Sequence, residues 1–515
     1  MEKICTCSSN LGNLVSVVDM CRGTHSPVLH TRRANVNKIL RGTARRKAPA
    51  CQRLPPGPWP LPWVGNILQL DTKDFPGSLE KLSQKYGPIF TIHLGSERVV
   101  VLYGHEVAQE ALLAQRDAFG ARGNNPILAK TTGGTGIGFS NGETWRQLRQ
   151  FAVATLGSLE VGKRSLEERI QEEASFLVER LRNTNGRPFD PSHFLSQATA
   201  NFLCSVSFGS RFDYEDEEFQ GFIRLVQENA LLQSSPMTKL YNIFPTILEY
   251  FPGSHKKIFK NTEELKHFIS RQVKRHQETT KPSQPQDFID AFLIRMEQEK
   301  QNSWSVFDLQ ALVRSTLDLF IGGAESTSLT LSYALLTLMK HPEVKEKVHQ
   351  EIDTVIGSSR SPCMVDLGKM PYTDAVIHEI HRTLALVPLN LPRATTKDTL
   401  FRQYFIPKGT TVFPALKPSL HDSREFPNPL LFDPGHFLDD NGGLKESKFF
   451  IPLSVGQRAC IGKKLVDMTI FVALTSILQH FDLVPLVAPE DLDASPAPAF
   501  LTMVPKPYRL CVSPR

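Results

Sequence analysis

The sequence predicts a mainly α-helical domain, and three stretches carry that prediction. The run from about Trp304 to His341 has apolar residues at helical spacing and no internal proline, so at 1.5 Å per residue it would be roughly 50 Å long. The segment "LVDMTIFVALTSILQHF", residues 465 to 481, has the same spacing and neither Pro nor Gly. In "HEIHR", Glu379 and Arg382 stand three apart and so share one helix face. A chain of 515 residues with 41% apolar and 22% charged residues can bury a large core.

In chain order, residues 1–53 gather basic residues, and 30–53 hold Arg and Lys without a single acid. The cluster "LPPGPWPLP", residues 54–62, is extended and stiff, and marks a hinge before a body at 63–515. In the long helix, Asp318 and Glu325 interrupt any stretch of the roughly 20 apolar residues a bilayer needs. Gly322 and Gly323 in mid-helix cost about 1 kcal/mol each relative to alanine, so something must want the gap. The hydroxyl of Ser326 can bond back to the Gly322 carbonyl and loosen the ladder there. A net charge of +6 is modest, and nucleic-acid binding is not implied. The eight cysteines are scattered without a disulfide framework.

Chemistry concentrates in "FIPLSVGQRACIGKKL", residues 450–465. It is not a phosphate loop, because Gly456 and Gly462 are one residue too far apart and Lys464 stands where a hydroxyl should be. Zinc is disfavoured, since the nearest further donors are His436 and His480 and no C-x-x-C exists. A nucleophilic cysteine needs a base that sequence alone does not place, and an inert buried cysteine stays open. The surroundings favour a ligand: Gly456 permits positive φ, and Gly462 allows close approach of a flat group. Arg458 suits a carboxylate, and the following helix points its positive end at Cys460, favouring a thiolate. A thiolate beside a carboxylate-binding arginine is what iron in a haem requires.

The motif G-x-R-x-C-x-G at Gly456, Arg458, Cys460 and Gly462 resembles the haem signature of the cytochrome P450 superfamily, and the likeness spans roughly residues 54–515. Glu379 and Arg382 match its E-x-x-R pair; Phe432, Pro434 and Phe437 match the meander before the loop, with His436 where many members carry arginine. Trp145 and Arg149 match its W-x-x-x-R, and Arg122 a further propionate position. "MPYTDAVIHEIHR" and "LYNIFP" resemble vertebrate microsomal family 2, near its K and W subfamilies. The resemblance implies an α+β fold, mainly α with small β-sheets, and haem b between a long central helix and the Cys-bearing loop.

It implies further that Cys460 ligates iron and that Arg122, Trp145, Arg149 and Arg458 hold propionates, while Glu379, Arg382 and His436 are structural and brace the cysteine loop from behind. Glu325 and Ser326 would relay protons for oxygen activation. Ile137, Phe139, Ala324, Val387, Leu389 and Phe500 would line a lipophilic substrate such as a fatty acid, steroid or foreign compound. Electrons would come from NADPH-cytochrome P450 reductase, with cytochrome b5 admitted as a further partner; the paired Lys463 and Lys464, with Arg146, suggest either a basic docking face for the reductase or merely solvated charge. This chain departs from the family at Ser326 for threonine, Leu453 for phenylalanine, and Lys463, Val466 and Asp467 after the loop. Those departures support a catalytically impaired haem binder as an alternative to a monooxygenase; a haem-thiolate isomerase or dehydratase, which needs no reductase, is the other, with Glu325 and Ser326 against it. Placement at the endoplasmic reticulum membrane surface is implied. Residues 30–53 resemble a mitochondrial transit peptide, the alternative location, although a solvated tail or a wrongly joined first exon gives the same pattern.

Overall fold

The computed structural model describes residues 53–71, 73–159, 165–279, 285–499 and 502–515; most of the basic N-terminal segment, and Phe500, lie outside these. Residues 54–515 form one compact unit. Its centre is the helix Leu309–Lys340, in which 21 residues are buried. Such a helix has to be covered on nearly all sides. Pro191–Phe208, Leu166–Arg182, Ser254–Thr279, Pro371–Leu384 and Lys463–His480 share one apolar cluster with it.

The central helix begins five residues later than the sequence predicts. Asp308 adopts an extended conformation, and its side chain accepts the Ala311 N–H at 2.7 Å, satisfying a donor that the first turn leaves free. The preceding stretch turns back instead, with the Ser305 N–H on the Asn302 carbonyl. At the far end Pro342 opens the next helix and ends this one.

β-structure is small. Among the described residues one mixed sheet has the order Ile89–Leu94, Glu97–Tyr103, Thr411–Ala415, Arg393–Ala394, Ala121–Arg122, and three further sheets have two strands each. The last two strands of the mixed sheet are antiparallel, with Arg122 opposite Arg393. Pairing like charges across a ladder is destabilising unless something else gathers them. The cysteine loop lies against this region and is fixed by Gly456. That residue has φ +79°, and a Cβ on it would stand 2.0 Å from the Leu112 carbonyl oxygen. The Cys460 N–H then closes a turn on the Leu453 carbonyl at 3.0 Å.

Candidate active site

Four arginines and a tryptophan meet where the mixed sheet, the helix Gly142–Leu159 and the cysteine loop come together. Trp145 and Arg149 stand one turn apart on that helix, and the Arg458 guanidinium sits 3.7 Å from the Trp145 ring centroid. Arg458 donates from Nε to the Gly120 carbonyl at 3.0 Å and from Nη2 to Ser140 and Asn141. Arg122 donates from Nε to the Gly138 carbonyl at 2.9 Å, and Arg149 donates to the Ala459 carbonyl at 2.8 Å. The fourth is Arg393, 1% exposed, whose nearest acceptors are 3.4–3.5 Å away. Sequence reasoning missed it. Its signal is a lone arginine in the otherwise uncharged run "VPLNLPRATT".

The group is unfinished as protein. Arg122 Nη1, Trp145 Nε1, Arg393 Nε and Arg458 Nη1 are buried with no acceptor, and none of the four arginines pairs with a carboxylate among the described residues. Desolvation first, and mutual repulsion second, push Arg122 down to about 10 and Arg393 and Arg458 down to about 8. Arginine keeps its charge in practice. Burial and mutual repulsion of cations with free donors suit the cradle to an anion with several acceptors.

Cys460 lies at the cradle's edge and is exposed. Beside it Gly462 is open, since an added Cβ would meet only the Cys460 sulfur, at 4.0 Å. Desolvation by the protein packed around the sulfur raises the thiol pKa; the Gly462 backbone at the helix start lowers it, as expected of the helix end, and so does Arg149, but by less. Such a thiol needs a metal to be a thiolate at neutral pH. Lys463, a cation at a helix start, is offset by Asp467 at 2.8 Å.

The central helix is exposed at its middle, where Ile321 and Gly322 face open space. Its two glycines serve different ends. A Cβ at Gly323 would press on Leu203 at 3.0 Å, so this one admits the neighbouring helix Pro191–Phe208, whereas a Cβ at Gly322 would meet nothing. The Ser326 hydroxyl donates to the Gly322 carbonyl at 2.7 Å, the back-bond expected from sequence. Thr199 donates to the Ala324 carbonyl at 3.0 Å. Burial pushes Glu325 up to about 7, so its carboxyl holds a proton near neutrality.

Glu379 and Arg382 are fully buried and joined through two bonds of 2.6 and 2.7 Å. Arg382 also donates to the carbonyls of Leu420, Pro429 and Leu431. Glu379 further accepts the Asp433 N–H at 2.9 Å, and the buried His436 ring stands 3.2 Å from it. The pair grips the meander at 420–436, the segment that leads into the cysteine loop.

The expected substrate-lining residues divide. Ala324 and Ile137 are buried in the main apolar cluster, and Phe139 lies beneath the Arg122 guanidinium at 5.8 Å. Val387 is half-buried on the loop after Pro371–Leu384. Leu389 is buried in a separate apolar cluster, with Phe90, Val101 and Phe413. Phe500 is outside the described residues.

A buried cationic cradle, a glycine-flanked cysteine at its edge and a grooved helix bearing an acid and a hydroxyl define a haem-thiolate protein. The cytochrome P450 family matches residues 55–512, and the chain belongs to that family. It is 53% identical over 461 residues to cytochrome P450 2H2 of Gallus gallus, an alignment covering 90% of this chain and 94% of the relative. Cytochrome P450 2H1 of Gallus gallus is 54% identical and cytochrome P450 2C5 of Oryctolagus cuniculus 52% identical, each over the same shares. The protein is a haem b monooxygenase with a cysteine thiolate as axial ligand. Among the described residues no helix is long and apolar enough to cross a membrane.

Proposed function

We propose that Cys460 is the thiolate ligand and that Arg122, Trp145, Arg149, Arg393 and Arg458 hold the two haem propionates. The observation that carries this reading is the set of four buried donors without acceptors, gathered beside an exposed cysteine. Two carboxylates in the cradle offset the repulsion among the arginines and satisfy those donors. When bound, haem supplies the oxygen activation that this chain's side chains cannot perform. Cys460 is open on the side a flat group needs, and Gly462 keeps that side clear.

On the other side the Gly322 groove admits small molecules to the middle of the central helix. Glu325, neutral below about pH 7, donates protons from there, and Ser326 holds a second oxygen next to it. The substrate is lipophilic, since Ile137, Phe139, Ala324 and Val387 offer it no charge. NADPH-cytochrome P450 reductase supplies electrons at the face bearing Arg146, Lys463 and Lys464, with cytochrome b5 as a further donor.

Attachment to the endoplasmic reticulum membrane surface is supported by two exposed apolar segments. Trp59, Trp63 and Leu68 belong to one, and Leu240, Ile247, Tyr250 and Phe251 to the other. They are neighbours through Gly95, whose N–H donates to the Val64 carbonyl at 3.2 Å and whose Cβ position lies 2.4 Å from Ile243. A patch of this kind marks an apolar partner.

The ligand assignment is tested with reduced protein under carbon monoxide. The parent shows the red-shifted Soret band of thiolate ligation, and Cys460→His loses it while retaining haem. A band unchanged in that variant removes Cys460 as the ligand.

A further inference from the structure

A second group of metal-binding side chains lies apart from the haem site, where the helix Ser254–Thr279 ends and the helix Phe288–Gln298 begins. His276, Asp287 and Asp290 each present a donor atom within 4.8 Å of the others. Each arrives for a local reason. His276 Nδ1 is 2.9 Å from the Gln272 carbonyl one turn earlier, and since a carbonyl only accepts, Nδ1 carries the hydrogen and fixes the ring. Nε2 is thereby aimed at Asp287 Oδ2, 2.9 Å away. Asp287 caps its helix with Oδ1, which takes the Asp290 N–H at 2.9 Å, and so Oδ2 is left for the site. Gly209 makes room for that oxygen, because a Cβ there would come within 2.7 Å of it.

Asp290 supplies the independent sign of a ligand. It is 3% exposed, its Oδ2 accepts the Gln286 N–H at 3.2 Å, and its Oδ1 has no partner at all. A buried carboxylate oxygen without a donor is costly, and a second carboxylate nearby adds repulsion. A proton between His276 and Asp287 answers the repulsion in part, as an ion pair. It leaves Asp290 Oδ1 without a donor.

We infer that His276, Asp287 and Asp290 form a zinc(II) site that staples the end of one helix to the start of the next. One imidazole nitrogen with two carboxylate oxygens suits zinc, whereas magnesium and calcium prefer oxygen alone. The Nδ1–H bond to the Gln272 carbonyl is the outer contact that orients a metal-binding histidine. Tetrahedral bonds of about 2.0 Å set donors about 3.3 Å apart, so the 2.9 Å His276–Asp287 distance has to open slightly and the widest separation in the group, within 4.8 Å, has to close. Three protein donors leave the fourth position to water, and the half-buried His276 gives it a route in.

The test is equilibrium dialysis of the haem-loaded protein against micromolar zinc chloride with millimolar magnesium chloride present, comparing the parent with Asp290→Asn and His276→Gln. Asp290→Asn keeps the size of the side chain and the backbone N–H that Asp287 caps. The parent retains one zinc per chain, both variants bind it at least about tenfold more weakly, and zinc raises the melting temperature of the parent alone. Equal zinc affinity in the parent and both variants overturns the assignment, as does a parent that binds no zinc. Circular dichroism and the haem spectrum of each variant confirm that weaker binding is not unfolding, and if one variant fails to fold, the other decides.

Discussion

The protein buries two arginine groups, and they are opposites. Arg382 places all five of its N–H donors, two on Glu379 and three on the carbonyls of Leu420, Pro429 and Leu431. In the cradle, three arginines and Trp145 each keep a buried donor with nothing to give it to. Burial alone does not separate them, since Arg393 and Arg458 of the cradle are 5% exposed or less, as Arg382 is, while Arg122 and Arg149 are half-buried. What differs is whether the chain itself answers the charge. The meander clamp is complete without a ligand and so holds the protein together. The cradle is complete only with an anion, which is what the proposed propionate site requires.

The sharpest way to break that contrast is at the clamp. Glu379→Ala leaves the Arg382 cation buried without its counter-charge, and we expect a loss of about 3–5 kcal/mol in denaturant-unfolding stability, with little folded holoprotein recovered. A variant as stable as the parent would show that the pair is ornamental.

A smaller effect of opposite character is expected at the cradle. Arg393→Gln removes a cation from a repelling group, so the haem-free protein should be as stable as the parent or more so. Haem loss to a scavenging protein should nevertheless quicken by roughly 10- to 150-fold, the equivalent of about 1.5–3 kcal/mol for a charged hydrogen bond. If Arg393→Gln destabilises the haem-free protein instead, the cradle is a structural device like the clamp.

The smallest effect concerns a buried acid that neither group neutralises. Glu325 is raised from 4.5 to about 7 in the folded protein by desolvation. A raised pKa means that its stabilising contribution is fully present below about pH 4.5 and is lost as pH rises through about 7. Relative to Glu325→Gln, the parent should therefore lose about 1–2 kcal/mol across that window, the discount reflecting a side chain that is only partly buried. Parallel melting curves for the two proteins from pH 4.5 to 7.5 would place the carboxyl in water.

The chain disclosed these regions unequally. The cysteine loop, the E-x-x-R pair and the W-x-x-x-R helix are short-range patterns, and the back-bond from Ser326 to Gly322 follows from spacing along one helix. Arg393 was hidden because strand pairing brings it opposite Arg122, 271 positions earlier in the chain, and local pattern does not record that register. Leu389 reads as any bulky apolar residue; its direction depends on which side of the loop the sheet covers. For Cys460 the neighbouring charges were legible, but their sum was not, because desolvation is set by everything that packs around the sulfur. The reach of Arg382 to the meander carbonyls was invisible for the same reason.

Gly456 has a bearing on inherited variation. Its α-carbon faces the Leu112 carbonyl so closely that no side chain of any kind fits, and its φ of +79° is one that other residues rarely adopt. Every missense change at a glycine codon introduces a side chain. A missense allele at this codon, whichever base it changes, should therefore behave in a carrier like a null, with protein missing from tissue and no variant of intermediate activity.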